Sequence, residues 1–175
     1  MTSAPRFVGI ERSLSDFHAW ALSSLMSNTT RAMIAEYLVR HAMGLDHEPA
    51  LEWDHVDIRT ATGTIEVKFS GFVQAWNQAA PSKPRFDIGV RTNAWDATTG
   101  TFVPHVGRHA DVYVFCLHHE VERARANPLH IDQWSFAVMA TSAINATFGA
   151  QKGVSLGRLR RSEEHTSELQ SRETI

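Results

Sequence analysis

Apolar and polar positions alternate through GTIEVKFSG, residues 63–71. Ile65, Val67 and Phe69 fall on one face, and Glu66 and Lys68 on the other. A period of two predicts a strand. Val-Tyr-Val-Phe-Cys-Leu near residue 115 is unbroken in its apolarity, which predicts a central strand over 110–117. Further strands are expected over 51–59, 85–91 (Phe86, Ile88 and Val90 inward), 134–139 and 154–156. Ser13 or Ser15 can cap a first helix ending near Met26, with Leu14, Phe17, Leu22 and Leu25 as its apolar side. Ser27-Asn28-Thr29-Thr30 caps a second ending at Gly44, whose expected inner stripe is Met33, Ile34, Tyr37, Leu38 and His41. Residues 141–148 read as a helix closed by Gly149, 71–79 as a short helical stretch, and 93–100 as a loop. The order, helices first and strands after, predicts one mixed α/β domain over residues 1–160: a mixed sheet flanked by helices.

The turn Thr60-Ala61-Thr62-Gly63 joins two of these strands. If it is symmetric, Ile58 faces Ile65, Asp57 faces Glu66, and His55 faces Lys68. Directly opposed side chains share a face of the sheet, so Asp57, Glu66 and Lys68 are expected to project together, with Asp54 on the other face beside Val56 and Ile58. Two facing carboxylates repel, and one is driven toward its protonated form. A divalent cation removes that penalty. Mg²⁺ takes one or two carboxylates, keeps several waters and binds phosphates. A lysine beside the pair can serve the attacking water or the phosphate. The pattern suits metal-assisted hydrolysis of a phosphodiester, with Mg²⁺ or Mn²⁺ as the cofactor. The competing reading is a surface Glu–Lys ion pair.

On these residues the chain resembles the PD-(D/E)xK nuclease superfamily, the restriction-endonuclease-like fold, in the manner of its actinobacterial members. Asp57, eight intervening residues, then Glu66-Val67-Lys68 resembles the superfamily's core motif, and residues 28–44 resemble the helix that precedes it. The resemblance implies a DNA nuclease with Asp57, Glu66 and Lys68 catalytic, Asp57 and Glu66 as metal ligands, and Glu36 as a third. From the residues alone, Glu36 serves equally as an i, i+4 partner of Arg40. Val56 stands where the motif carries proline, the aspartate-to-glutamate spacing is short, and Gln78 stands where a Gln-x-x-x-Tyr motif would have tyrosine. Gln74 is that motif's counterpart and a candidate for positioning DNA. The alternative function on the same fold is a non-catalytic DNA-binding or assembly module.

Charge limits this reading. Residues 161–171, RSEEHTSELQS, resemble a frame translation of a common sequencing adapter, which implies that 161–175 form an unpacked, artefactual tail and that the natural C-terminus is missing. Without its two arginines and four glutamates, fifteen basic residues face fifteen acidic ones. Nucleic-acid binders are usually basic, so DNA contact would rest on local clusters, with Arg85 and Arg91 on one segment. Trp76 and Trp95 flank the proposed site and are candidates for stacking on bases. His118 and His119, adjacent in a strand, point to opposite faces and cannot easily share a metal. Cys116 is the single cysteine and reads as a small core residue. No apolar run approaches a membrane span and no signal-type segment opens the chain, so a cytoplasmic protein is expected.

Overall fold

The computed structural model describes residues 5–47, 54–96 and 99–162. In chain order they form α1 (Leu14–Ala21), α2 (Asn28–Ala42), β1 (Ile58–Thr60), β2 (Gly63–Gly71), β3 (Arg85–Asp87), β4 (Arg91–Asp96), β5 (Thr101–Gly107), β6 (Val112–His118), β7 (Trp134–Ala140), α3 (Thr141–Phe148) and β8 (Gly153–Ser155). A helical segment follows at 156–162. The main sheet is mixed and four-stranded, ordered β1-β2-β6-β7, while β3–β8 and β4–β5 form separate antiparallel pairs. The expected mixed α/β architecture is present. No helix among the described residues is long and apolar enough to cross a membrane.

The hairpin register is the one the turn symmetry predicts: Ile58 pairs with Ile65, Arg59 with Thr64 and Thr60 with Gly63. β6 runs parallel to β2, with Glu66 beside Tyr113 and Lys68 beside Phe115. Each face of the sheet carries its own core. On one, Ile65, Val67 and Phe69 pack with Ala35 and Val39 of α2 and with Val114, Cys116 and Trp134. On the other, Tyr113, Phe115 and Leu117 pack under Phe86, Ile88, Ile144, Phe148, Val154 and Leu159. Glu66 and Lys68 belong by alternation to this second face. It is a covered layer rather than solvent.

α2 turns a different side inward than its apolar pattern suggests. Thr30, Arg31, Ala35, Val39 and Arg40 are buried, Ile34 and Leu38 pack partly, and Met33, Tyr37 and His41 are exposed. The two arginines explain the rotation, because each finds a backbone carbonyl to satisfy its guanidinium. Arg31 donates to Val73 O (2.6 Å) and lies over the Phe69 ring at 4.9 Å, and Arg40 donates to Asp57 O (2.6 Å). Burial lowers the Arg31 pKa to about 10.

Other expectations shift for local reasons. Among the described residues the first strand begins only at Ile58, because 55–57 bend. That bend carries Val56 into the Phe115 cluster, away from Ile58. Leu51–Trp53 lie outside the described residues. Residues 93–96, read as loop, belong to β4, and Val90, read as inward, is exposed. Residues 72–79 are not helical: Gln78 holds them as a loop by accepting from Gln74 N (2.6 Å) and donating to Ser82 Oγ (2.9 Å). α1 stops at Ala21 and buries none of its residues. The helix at 156–162 carries Arg161 and Ser162 past the expected boundary at 160. Ser162 is buried, and its hydroxyl donates to Leu159 O at 2.6 Å. Residues 163–175 lie outside the described residues.

Candidate active site

Glu66 and Lys68 are two residues apart on β2, so strand geometry sets them side by side. Lys68 Nζ contacts Glu66 Oε1 directly, and the two side chains are only 18% and 19% exposed. Burial is the largest influence on the Glu66 carboxyl and raises its pKa. Lys68 opposes this, and the charge of Asp57 adds to it. The net direction is upward although a lysine is in contact. Tyr113, beside Glu66 on β6, is pushed up to about 12, first by burial and then by the Glu66 charge.

Asp57 lies one residue before β1. Its N–H donates to Ile65 O (3.2 Å), and its Oδ2 accepts the Val67 N–H (2.6 Å). One carboxylate oxygen therefore holds the strand edge in place of a backbone acceptor. Its other oxygen, and Glu66 Oε2, accept no hydrogen bond from a described residue. Asp54 is engaged elsewhere, gripped by Arg59 at 2.6 and 2.8 Å.

Glu36 does not join this group. Its Oε1 accepts from Arg40 Nε at 2.8 Å, the i, i+4 pairing, and α2 covers the opposite face of the sheet. Arg40 in turn bonds Asp57 O, so Glu36 reaches the site only through that arginine. The three-carboxylate ligand set is not assembled: among the described residues, no three His, Cys, Asp or Glu side chains form a group able to hold a metal.

The proposed substrate contacts also sort by their partners. Gln74 is scaffold, with Nε2 donating to Gly71 O (3.0 Å) and Oε1 accepting from Arg31 (3.4 Å). Trp76 leaves its ring exposed, while its carbonyl accepts from Arg123. Arg85 donates from its backbone to Ser70 Oγ (3.2 Å) and from its guanidinium to Gly153 O (3.3 Å), next to the Glu66–Lys68 face. His118 is buried against Gln133 and His119 meets Ser135, so the two diverge as alternation requires. Cys116 is fully buried, and burial pushes its thiol up to about 12, which removes it as a nucleophile.

The sequence places Arg91 only in a basic cluster and gives Asp87 no part in the site, yet both bear on the centre. Asp87 and Arg91 pair at 2.9 Å. The Arg91 charge is felt at Glu66, and the Lys68 charge at Asp87. Burial works against the Asp87 charge, but the Gly89 N–H, Arg91 and Lys68 together leave its pKa lowered. Their Asp-x-x-x-Arg spacing was the available signal. Asp87 alternates with Phe86 and Ile88, a pattern that fits a solvent-face residue, and its side chain is 52% exposed.

Comparison with protein-family models, with characterised protein sequences and with solved structures returns no match.

The raised Glu66 pKa has a consequence for stability. An unfolded chain ionises this carboxyl near its ordinary value of 4.5, whereas the folded chain resists ionisation. Its favourable contribution is present below that value and is lost as pH rises through the folded pKa. In chelator, Glu66→Gln is therefore expected to melt higher than the parent chain at pH 7–8. The difference should close as the pH falls to about 4. A constant offset across that range, measured by thermal denaturation, would show that Lys68 already neutralises the carboxylate.

Proposed function

We propose that this chain hydrolyses phosphodiester bonds in DNA with the help of Mg²⁺ or Mn²⁺. One observation carries the reading: the shielded Glu66 carboxyl keeps a raised pKa with Lys68 in contact and Asp57 nearby. A solvated surface ion pair, the competing reading, would have the opposite sign, because a neighbouring cation lowers a carboxyl pKa where burial does not oppose it. Burial is what raises the Glu66 pKa: the Lys68 charge outweighs that of Asp57, and burial prevails over the lysine.

The residues fit a hard divalent cation. Asp57 and Glu66 each retain one oxygen not accepting from a described residue, and Mg²⁺ needs only one or two carboxylates. When bound between them, the ion would neutralise charge on the phosphate and make water a better nucleophile at neutral pH. Lys68 holds a proton at Nζ beside the reacting centre, where it can stabilise phosphate charge or serve the attacking water. Arg91 adds positive charge next to it, and Tyr113 stays protonated and able to donate. Glu36 positions rather than ligates, through Arg40 and the Asp57 backbone.

The alternative is a non-catalytic DNA-binding or assembly module. It is favoured by the missing third ligand and by Asp57 Oδ2 being engaged at Val67 N–H. A nuclease assay on linear, circular and single-stranded DNA with Mg²⁺, Mn²⁺ and Ca²⁺ separates the two. Cleavage with Mg²⁺ or Mn²⁺ is expected, with Ca²⁺ supporting binding only. Lys68→Ala should lower turnover far more than it weakens metal affinity, since lysine is no ligand for a hard cation. No cleavage of any substrate, together with no metal-dependent change in melting temperature, would establish the non-catalytic reading.

A further inference from the structure

The β4–β5 hairpin begins at Arg91, whose charge is felt at Glu66, and one of its faces has a chemistry that phosphate hydrolysis does not require. Trp95 pairs across the hairpin with Phe102, and Asn93 pairs with Pro104. Cross-strand partners and alternate residues share a face, so Asn93, Trp95 and Phe102 stand together. The two rings meet edge to face, with centroids 5.2 Å apart at 70°. Phe102 remains 62% exposed, which leaves aromatic surface uncovered. Facing this aromatic step are His55 and His109, themselves edge to face at 5.6 Å, and Arg91. With Asp54, these six residues line a cavity of about 210 Å³. That is smaller than the ~300 Å³ at which pockets for drug-sized ligands begin, and it suits one flat ring system.

The polar groups around it can read a ring edge. The Asn93 amide makes no hydrogen bond to a described residue and offers a donor and an acceptor side by side. Asp54, in the cavity wall, is engaged by Arg59, and Asp87 by Arg91, so among the described side chains no unpaired carboxylate confronts an approaching polyanion. Arg91 links the pocket to the centre: it lines the cavity, and its charge is felt at Glu66. A planar ring recognised one arginine away from a phosphate-handling carboxylate points to a nucleotide. Bases in a duplex are stacked and cannot offer a face to Phe102, whereas an unpaired base can.

We propose that the Asn93–Trp95–Phe102 face binds an unpaired nucleobase of a strand whose phosphate lies at Glu66 and Lys68, an inference that rests on the phosphodiesterase reading for its second half. The substrate is thus single-stranded at this position, either from the outset or after local opening of a duplex.

The test is metal-free binding, in chelator, of labelled oligodeoxyadenylate, its ribo counterpart and a blunt duplex of equal length, followed by fluorescence anisotropy. Phe102→Ala should weaken single-strand binding by about 5- to 100-fold, the range found when a base-stacking aromatic is truncated, and change duplex binding by less than about two-fold. Phe102→Trp should restore single-strand affinity, which excludes misfolding as the cause, and Asn93→Ala should alter the ranking of the four homopolymers. Loss on the deoxy strand alone or on both strands supports the site and identifies the sugar it accepts. Single-strand affinity unchanged within about two-fold in Phe102→Ala overturns it. Cleavage is read separately. An active enzyme indifferent to Phe102 would refute the pocket and keep the phosphodiesterase reading. A Phe102-dependent binder that cleaves nothing with any metal would keep the pocket as a binding site and refute that reading.

Discussion

Glu66→Ala is expected to abolish metal-dependent cleavage, a loss of about a thousand-fold or more. The scale follows from what the carboxylate holds in place. A Lewis-acidic ion contributes several kcal/mol of charge stabilisation in the transition state, and each ~1.4 kcal/mol is tenfold in rate. With Glu66 gone, Asp57 is the sole remaining acid of the pair, and one of its oxygens is engaged by the Val67 N–H. The same variant should lose the stabilisation by metal. At a Mg²⁺ concentration one hundred times its dissociation constant, the parent chain should gain about 2.7 kcal/mol, and for a chain of this size that raises the melting temperature by roughly 5–10 °C. DNA binding in chelator should persist or tighten, because one negative charge leaves the phosphate site. Cleavage surviving in Glu66→Ala would place the chemistry elsewhere on the molecule.

Arg108→Ala is expected to be the most damaging single change outside the site, lowering stability by about 3–5 kcal/mol. Arg108 is buried, and its guanidinium ties together segments distant in sequence. Nε donates to Ile88 O (2.7 Å), one terminal nitrogen to Gly149 O (2.8 Å) and Gln151 O (3.2 Å), and the other to Asn145 Oδ1. Two of these acceptors lie just beyond the C-terminus of α3, where the helix dipole favours a cation. Truncation leaves the buried Ile88 carbonyl and the part-buried Gly149 and Gln151 carbonyls without their donor; a buried orphan costs about 1–3 kcal/mol, and those nearer solvent cost less. The melting temperature should fall by roughly 10 °C. Arg108→Lys should recover less than half of this, because a single ammonium cannot span four acceptors. Ile88 follows Asp87 in the chain, so activity should fall as well. A loss below about 1 kcal/mol by urea titration would mean that water replaces the guanidinium without penalty.

Glu36 shows where local pattern misleads. Glu36 resembled a ligand because of its place in the helix, but Arg40, four residues on, was the nearer and competent partner. Asp87 is the exposed residue that its alternation with Phe86 and Ile88 predicts. What brings it within reach of the Lys68 charge is the packing of β3 against the sheet, and no property of residues 85–91 specifies that packing. The 93–96 stretch is a strand for a reason its own sequence does not show. Its alternation is carried by Asn93, Ala94 and Trp95, too mixed in polarity to register as a strand until β5 pairs with it.

From sequence alone the side-chain parity of β2, the Ile58–Ile65 register, the Glu66–Lys68 adjacency, and the span of α3 with its Gly149 cap were all legible. Each depends on interactions within a dozen residues: the two-residue pleat, the symmetry of a tight turn, and the requirements of a helix end. The tertiary structure decided that the polar face of β2 is covered, because the residues that cover it come from β3, β8 and α3, some 20–90 positions away. It also decided which side of α2 faces inward. The helix's own apolar stripe favoured Met33 and Tyr37. Arg31 and Arg40 prevailed because Val73 O and Asp57 O, supplied by distant loops, satisfy buried guanidinium groups. Burial, and with it the raised pKa of Glu66, belongs to whatever lies on top of a residue, and a strand's own sequence does not encode that.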